Sequence, residues 1–267
     1  MGTNDKYAGK KAVVTGGTAG IGLATAKALI EGGAAVIVTG QTERNLEEAS
    51  RELGPKAHVV QSDAASLNDI DALGKIVAEK FGQVDFVFIN AGFCKLEPFD
   101  QITEAVYDKT FDINTKGVFF TVQRLAPLVR RGGSFLFMTS VADELGYPMM
   151  SAFSASRAAV RSLARVFASE LLPNGLRVNA ISPGFIRTQT MGIAGASMED
   201  VEAFIKEGEE VTPMKRIGTL DEAVRAILFL GFDATFTTGA ELTVDGGIGQ
   251  GIYAPHSTNA EAAKAVS

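Results

Sequence analysis

Two polar residues stand where an α/β protein commonly does chemistry. Ser140 follows the apolar run 135–138, and Arg157 lies four residues after Phe153 in the next helical pattern. Residues four apart share one helix face, so Phe153 and Arg157 should point to the same place. Chemistry in parallel sheets collects at the carboxyl ends of strands, which predicts an active site here. A proton donor would be useful at position 153, and a phenyl ring cannot be one.

The loop after Ser140 carries other candidate proton donors, Asp143, Glu144 and Tyr147. The Tyr147 phenol could donate a proton, although an exposed loop tyrosine would look the same in the sequence. Either carboxyl group could enter the pocket and act as an acid or stabilise a cationic substrate.

A glycine-rich turn occurs near the start of the chain. Gly16, Gly20 and Gly22, with Thr18 and Ile21 between them, join an apolar strand to a helical pattern. Glycine allows a sharp turn and the close approach of a diphosphate, and a helix N-terminus supplies free N–H groups. This context favours dinucleotide binding over a tight turn with no ligand.

The end of the second predicted strand favours one dinucleotide. An acidic residue there would bind a ribose 2′-hydroxyl and repel a 2′-phosphate. This chain instead has Gln41, with Arg44 nearby and no acid before Glu43. We therefore expect NADP(H), with NAD(H) as the alternative. Asp63, at the end of the third strand, could bind the adenine amino group or cap the next helix.

Apolar strands alternate with helical patterns along the chain, which predicts βαβ units and a parallel sheet. We expect one α/β domain over residues 1–250, with an irregular, mobile cover at about 188–212 and a poorly ordered tail at 251–267. The predicted strands are 11–15, 34–39, 57–61, 84–89, 135–140, 176–181 and 241–244. The predicted helices begin near Gly22 and Phe153 and cover 43–53, 67–81, 104–130 and 220–230.

Composition excludes several classes of protein. The net charge of −6 argues against nucleic acid and anionic membranes as partners. The one cysteine, Cys94, excludes an intrachain disulfide and fits the cytoplasm. Two histidines argue against a zinc site, so no metal is expected. No apolar run is long enough to span a bilayer, and residues 1–11 lack a signal core.

Together these motifs resemble the short-chain dehydrogenase/reductase family over about residues 10–247. The matching stretches are 15–22, 90–92, Asn114, Ser140, 177–179, 183–184 and 245–247. The run 111–117 resembles the NADP-using, three-oxoacyl-reductase-like branch. The resemblance implies a seven-stranded, doubly wound Rossmann fold with helices on both faces, and a homotetramer or homodimer. The cofactor positions that it implies add Asn90, Ala91, Gly92, Pro183, Gly184, Ile186 and Thr188 to those above.

The family's catalytic set is Asn, Ser, Tyr and Lys. Asn114 and Ser140 match it, whereas the Tyr-x-x-x-Lys pair falls on Phe153 and Arg157. Arg157 can still supply positive charge and bind the cofactor ribose, but Phe153 cannot protonate a carbonyl oxygen.

Three explanations fit this departure. In the first, the acid is relocated to the loop after Ser140. In the second, the substrate needs no strong acid, as with an imine or an activated C=C bond. In the third, the protein does no redox chemistry. We expect an NADP(H)-dependent reductase of a polarised C=N, C=C or C=O bond in a small apolar substrate, with ordinary ketones disfavoured. The alternative is a cofactor-binding pseudoenzyme or a recruited cyclase or isomerase.

Overall fold

The computed structural model describes residues 5–252. Its strands are β1 Lys11–Val14, β2 Ala35–Gly40, β3 Ala57–Gln61, β4 Val84–Ile89, β5 Val129–Met138, β6 Arg177–Pro183 and β7 Glu241–Val244. Its helices are α1 Gly20–Glu31, α2 Glu43–Leu53, α3 Leu67–Phe81, α4 Glu104–Phe111, α5 Gly117–Leu125, α6 Ser151–Glu170, α7 Met198–Val211 and α8 Leu220–Leu228.

All seven strands form one parallel sheet in the order β3-β2-β1-β4-β5-β6-β7. Strand order reverses on either side of β1, which pairs with β2 on one edge and with β4 on the other. This reversal opens a crevice beyond the carboxyl ends of β1 and β4, where α/β proteins bind ligands. The predicted fold class is confirmed.

The two faces of the sheet are buried against separate sets of helices. Phe135 and Phe137 of β5 face a core that includes residues of α3, α5 and α6. Phe86 and Phe88 of β4 face the opposite core, which includes residues of α1, α2 and α8. Alternate strand residues point to opposite faces, so nearly continuous apolar strands are needed to fill both cores.

The predicted helix over 104–130 is wrong in its length. The chain forms α4, then a π-helical turn at Asp112–Lys116, then α5, and a short 3-10 turn at Ala126–Leu128. Pro127 lies in that turn, where its ring and missing N–H oppose continuation of the α-helix. Strand β5 therefore begins at Val129, earlier than the sequence pattern predicted.

The cover predicted to be irregular contains a 14-residue helix, α7. Ser197 caps its N-terminus by accepting from the Asp200 N–H, and the Asp200 carboxylate accepts from the Ser197 N–H. This capping box fixes the helix start, and its pattern was present in the sequence. Of the predicted tail at 251–267, residues 253–267 lie outside the described part.

Candidate active site

A cavity of about 870 Å³ lies at the carboxyl ends of the central strands. It runs from the glycine-rich turn, past Asn90, to Ser140, Phe153 and the segment that precedes α7. Most of the predicted site residues line it: Gly16, Thr18, Gly20, Ile21, Asn90, Ala91, Gly92, Ser140, Tyr147, Phe153, Arg157, Pro183, Gly184, Ile186 and Thr188. Gly22, Gln41, Arg44, Asp63, Asn114, Asp143 and Glu144 lie outside the lining.

The glycine-rich turn requires glycine for two reasons: a positive φ angle at some positions and close backbone packing at another. Gly16 and Gly20 have φ values of +62° and +54°, which side chains disfavour. At Gly22 a Cβ atom would lie 2.4 Å from the Gly16 carbonyl oxygen, so the first turn of α1 packs directly on the loop. The helix N-terminus thus faces the cavity with room for a phosphate.

Hydrogen bonds join this turn to the end of β4. The Thr15 hydroxyl accepts from the N–H groups of Asn90 and Ala91, and the Asn90 amide donates to the carbonyls of Thr15 and Gly16. Asn90 and the glycine loop are therefore held as one rigid unit across the switch point of the sheet.

Two polar groups on the cavity wall have hydrogen-bonding capacity left for a ligand. The Arg157 Nε and Thr188 Oγ1 atoms are buried and have no hydrogen-bond partner. Unpaired buried polar atoms are costly, so their position on a cavity wall favours a polar ligand there. The glycine turn and these two atoms fit a nicotinamide dinucleotide.

Most polar side chains in the region after β2 form hydrogen bonds or ion pairs within that region. Gln41 donates to the Asp63 carboxylate, which also accepts from the Ala65 N–H at 2.8 Å. Asp63 therefore caps the turn before α3, and an adenine role for it stays a prediction. Arg44 pairs with Glu48 at 2.9 Å, and Glu48 lines the cavity.

Arg157 is buried and packs against the ring of Phe153. Its guanidinium carbon lies 5.1 Å from the ring centre of Phe153, and its Nη1 donates to the Met138 carbonyl at 2.9 Å. A Cβ atom at Gly92 would lie 2.1 Å from Nη2, so only glycine leaves room for the guanidinium. Burial lowers the pKa of Arg157 to about 10, which still leaves it charged at neutral pH.

Asn114 lies in the π-helical turn between α4 and α5 and is fully buried. Its Oδ1 accepts from the Phe93 N–H at 2.7 Å, and its Nδ2 donates to the Phe93 carbonyl and the Ser156 hydroxyl, each at 2.9 Å. The extra residue of a π turn re-aims a side chain, and such turns often occur at functional sites. Asn114 thus ties the loop after β4 to α6.

Ser140 lies just beyond the end of β5 and lines the cavity. Its Oγ accepts from the Ala142 N–H at 3.2 Å and so caps the short helix at Val141–Asp143. No hydrogen bond donated by its O–H is formed among residues 5–252, so that proton is free to meet a ligand.

The structure places Asp143 and Glu144 against Arg161 of α6. Arg161 pairs with both carboxylates and with Glu241 at 2.9 Å. The side chain of Asp143 is fully buried and its Oδ2 has no partner. Burial raises the pKa of Asp143 to about 6, and the Arg161 cation opposes that rise. Sequence reasoning missed this cluster, because Arg161 and Glu241 are distant in the chain.

The Tyr147 ring lines the cavity, but its hydroxyl donates to Glu207 of α7 at 2.7 Å. Burial, and next the hydrogen bond to Glu207, raise the pKa of Tyr147. The residue links the loop after β5 to the cover.

The Cys94 thiol and a set of apolar side chains complete the cavity. Burial raises the pKa of Cys94 to about 11, and Arg157 opposes that rise. The Cys94 carbonyl also accepts from the Ala194 N–H at 2.8 Å, which joins its segment to the cover. The apolar lining near this end comprises Phe93, Leu145, Met150, Phe185, Met191, Ile193 and Phe204.

Residues 5–252 also lack a membrane-spanning helix and a cluster of metal ligands. No helix there is both long and apolar enough to cross a membrane. In the same range, no group of three or more His, Cys, Asp or Glu side chains is placed to hold a metal ion.

Known proteins resemble the chain along most of its length. The family model described as enoyl-(acyl carrier protein) reductase matches residues 16–249. The oxidoreductase asL5 of Sarocladium schorii is 38% identical, over 94% of this chain and all of that protein. The L-fucose dehydrogenase of Bos taurus is 32% identical, over 98% of this chain and 97% of that protein.

A solved structure has the same architecture. The short-chain glucose/ribitol dehydrogenase from Brucella melitensis superposes with a TM-score of 0.84 at 30% identity, over 91% of this chain and 98% of that chain. The fold, the glycine-rich turn and these matches agree, and the chain therefore belongs to the short-chain dehydrogenase/reductase family of oxidoreductases, which use a nicotinamide cofactor.

Proposed function

We propose that this protein is an NADP(H)-dependent reductase with a non-standard proton-delivery site. Its substrate is a small apolar molecule with a polarised C=N, C=C or C=O bond, and imines and activated C=C bonds are preferred over ordinary ketones. The observation that carries the proposal is the pairing of Phe153 with Arg157 on the cavity wall, where the family has a phenol and an ammonium group.

The residues present can hold the cofactor. The amides around Gly16 and Gly20 would bind the diphosphate, together with the Thr188 hydroxyl beside Gly20. The unpartnered Nε of Arg157 would bind a polar group at the nicotinamide end. When bound, a nicotinamide cofactor donates or accepts a hydride. NADP(H) is favoured over NAD(H) because Gly40 and Gln41 provide no carboxylate at the end of β2. The NADP-using branch assignment rests on the run 111–117.

The side chains near Phe153 explain the preference among substrates. The ring has no proton to give, and the Tyr147 hydroxyl is bound to Glu207. Loss of a general acid typically costs on the order of 10²–10⁴-fold in rate, so ketone reduction is strongly disfavoured. An iminium carries its proton already, and an activated C=C bond needs only support for the enolate oxygen. The free O–H of Ser140 can give that support.

The apolar wall sets the size and polarity of the substrate. The side chains of Phe93, Leu145, Met150 and Phe204 present no hydrogen-bonding groups, so a polyol would lose its hydration there without compensation. Some relatives are named as sugar dehydrogenases, and this lining supports a different substrate for the present chain.

We also infer a cytoplasmic location and self-association. The single cysteine suits a reducing compartment. Tyr107, Phe119 and Val166 on α4, α5 and α6 are exposed, which favours a homotetramer or homodimer that covers them.

Transfer of label from 4-deuterated NADPH tests the proposal. We expect deuterium in the products of an enone panel or an imine panel, and little in those of unactivated ketones. Calorimetry should show NADPH binding in the same samples. Binding without label transfer to any panel would favour the alternative, a cofactor-binding protein without redox activity.

A further inference from the structure

The Cys94 thiol has no assigned role, although it lies on the wall of the substrate end of the cavity. It belongs to the segment after β4 that Asn114 anchors through Phe93, and its own carbonyl holds the cover through Ala194. The thiol is therefore carried on a backbone that is fixed on both sides. A group that delivers a proton to a bound substrate must be held in a fixed position.

A second feature, on the wall of the same cavity, points to a ligand in this space. Only 5% of the Arg157 surface is exposed, yet its Nε has no hydrogen-bond partner among residues 5–252. The guanidinium also acts electrostatically on Cys94, because each group shifts the pKa of the other. Arg157 and Cys94 both line this cavity, so a cation with unused hydrogen-bonding capacity and a buried S–H group border the same space.

We propose that Cys94 is a catalytic residue, the proton donor for the reduction of an activated C=C bond, and that α,β-unsaturated carbonyl compounds are the substrate class. The inference rests on the proposed reductase function and selects among its substrates. Arg157 favours this choice, because a buried cation stabilises an enolate and repels an iminium ion.

The step balances in atoms and charge. A hydride, supplied with the electron pair of its C–H bond by the nicotinamide cofactor of the proposed function, would add to the β-carbon. The C=C π electrons would then form an enolate whose oxygen accepts from the Ser140 hydroxyl. The S–H bond of Cys94 then breaks, its proton bonds to the α-carbon and its electron pair stays on sulfur. Water reprotonates the thiolate afterwards. The saturated carbonyl compound leaves with one hydride and one proton added.

The environment of the thiol suits this role. Burial keeps Cys94 protonated at neutral pH, so the proton is present when the enolate forms. An enolate carbon is a much stronger base than a thiolate, so the transfer runs downhill. Arg157 then stabilises the thiolate that remains. A carbonyl oxygen needs its acid in the plane of the carbonyl, whereas an α-carbon is reached from one face, so a donor other than residue 153 can serve.

The test compares wild type with Cys94→Ala and Cys94→Ser, using 2-methylcyclohexenone as the probe in D₂O. Wild type should place solvent deuterium on a single face of the α-carbon. Cys94→Ala should slow reduction on the order of 10²–10⁴-fold and lose the facial preference, while NADPH affinity and folding are retained. Cys94→Ser keeps an O–H donor of similar size and should recover part of both. A structural role would not change the face that is labelled.

A second measurement does not depend on turnover. The rate of Cys94 alkylation by iodoacetamide at pH 9, in cofactor-free protein, should fall several-fold in Arg157→Met and much less in Arg157→Lys, because only the first loses the cation. Equal rates in all three would place the thiol outside the field of Arg157 and overturn the proposal.

The outcomes separate the two proposals. Enone reduction that is fast and face-selective in both wild type and Cys94→Ala would overturn the role of Cys94 and leave the reductase function intact. If wild type transfers label to imines only, the substrate class is wrong and the reductase function stands. If no label transfer occurs to any substrate, both proposals fall.

Discussion

The guanidinium carbon of Arg157 lies 5.1 Å from the centre of the Phe153 ring, so a buried cation rests against a ring that has no proton to donate. The pair occupies one face of α6 at the base of the cavity. The face of an aromatic ring attracts a cation, so this contact stabilises the guanidinium. Position 157 therefore supplies a positive charge, and position 153 supplies no acidic proton.

The close packing of Arg157 on Gly92 gives the first prediction. In Gly92→Ala the new Cβ would lie 2.1 Å from Nη2, so the guanidinium must move away from the cavity wall. Losing a hydrogen bond from a charged group should weaken NADPH binding about tenfold or more, measured by calorimetry. The control is Gly146→Ala, where the new Cβ has no neighbour within 4 Å. Equal affinity in both variants would show that Arg157 does not contact the cofactor.

The Arg44–Glu48 ion pair leads to a prediction on cofactor choice. Glu48 lines the cavity, and its hydrogen bond with Arg44 holds the pKa of Glu48 low. Glu48→Gln would remove a negative charge and free Arg44, so NADPH should bind several-fold more tightly at low salt while NADH binding stays the same. Glu47→Gln, one residue earlier on the same helix and outside the lining, is the matched control. A parallel gain for NADH would argue against a 2′-phosphate at this place.

Asp143 predicts an unusual pH dependence of stability. Burial raises its pKa from 3.8 to about 6, so between these values the folded protein binds more protons than the unfolded chain. Stability from this group is therefore complete below pH 3.8 and is lost as the pH rises through 6, by about 1–3 kcal/mol. Urea unfolding of Asp143→Asn should lack this loss.

The control for that measurement is Glu144→Gln, which alters the same Arg161 cluster but keeps Asp143. It should retain the fall in the free energy of unfolding between pH 4 and pH 7. If Asp143→Asn shows the same fall as wild type, another group is responsible for it.

Variants of the Tyr147–Glu207 hydrogen bond test whether Tyr147 has a structural or a catalytic role. Tyr147→Phe and Glu207→Gln both weaken one hydrogen bond between the loop and α7, so kcat/KM should fall by less than about tenfold, and alike, in both. A fall of 10²-fold or more in Tyr147→Phe alone would identify Tyr147 as the missing acid.

The sequence predicted the order of the strands along the chain, the glycine turn and the Phe153–Arg157 pair, because each depends on local spacing. It did not predict the end of α5 at Leu125, although Pro127 marks it, because the apolar pattern continues into β5. The helix α7 was missed because the stretch 188–212, rich in Met, Gly and Glu, was interpreted as irregular as a whole, although Ser197 and Asp200 form a capping pattern.

The partners of the three candidate proton donors in the loop after Ser140 are distant in the sequence. Asp143 and Glu144 lie outside the cavity lining, where both form ion pairs with Arg161. Arg161 also pairs with Glu241 of β7. Glu207 holds the Tyr147 hydroxyl across 60 positions of the chain. No local pattern predicts these partners, since tertiary packing alone decides which charges meet.

Restoring the family's catalytic pair tests the central claim most directly. The measurement is the ratio of kcat/KM for cyclohexanone to that for cyclohexenone, in wild type and in Phe153→Tyr/Arg157→Lys, with each single variant as a control for its own substitution. We predict that the ratio is small in wild type and rises at least about 10²-fold in a well-folded double variant, because a phenol beside an ammonium now protonates the carbonyl oxygen. A wild-type protein that reduces both substrates equally well, or a double variant that gains nothing, would contradict the account.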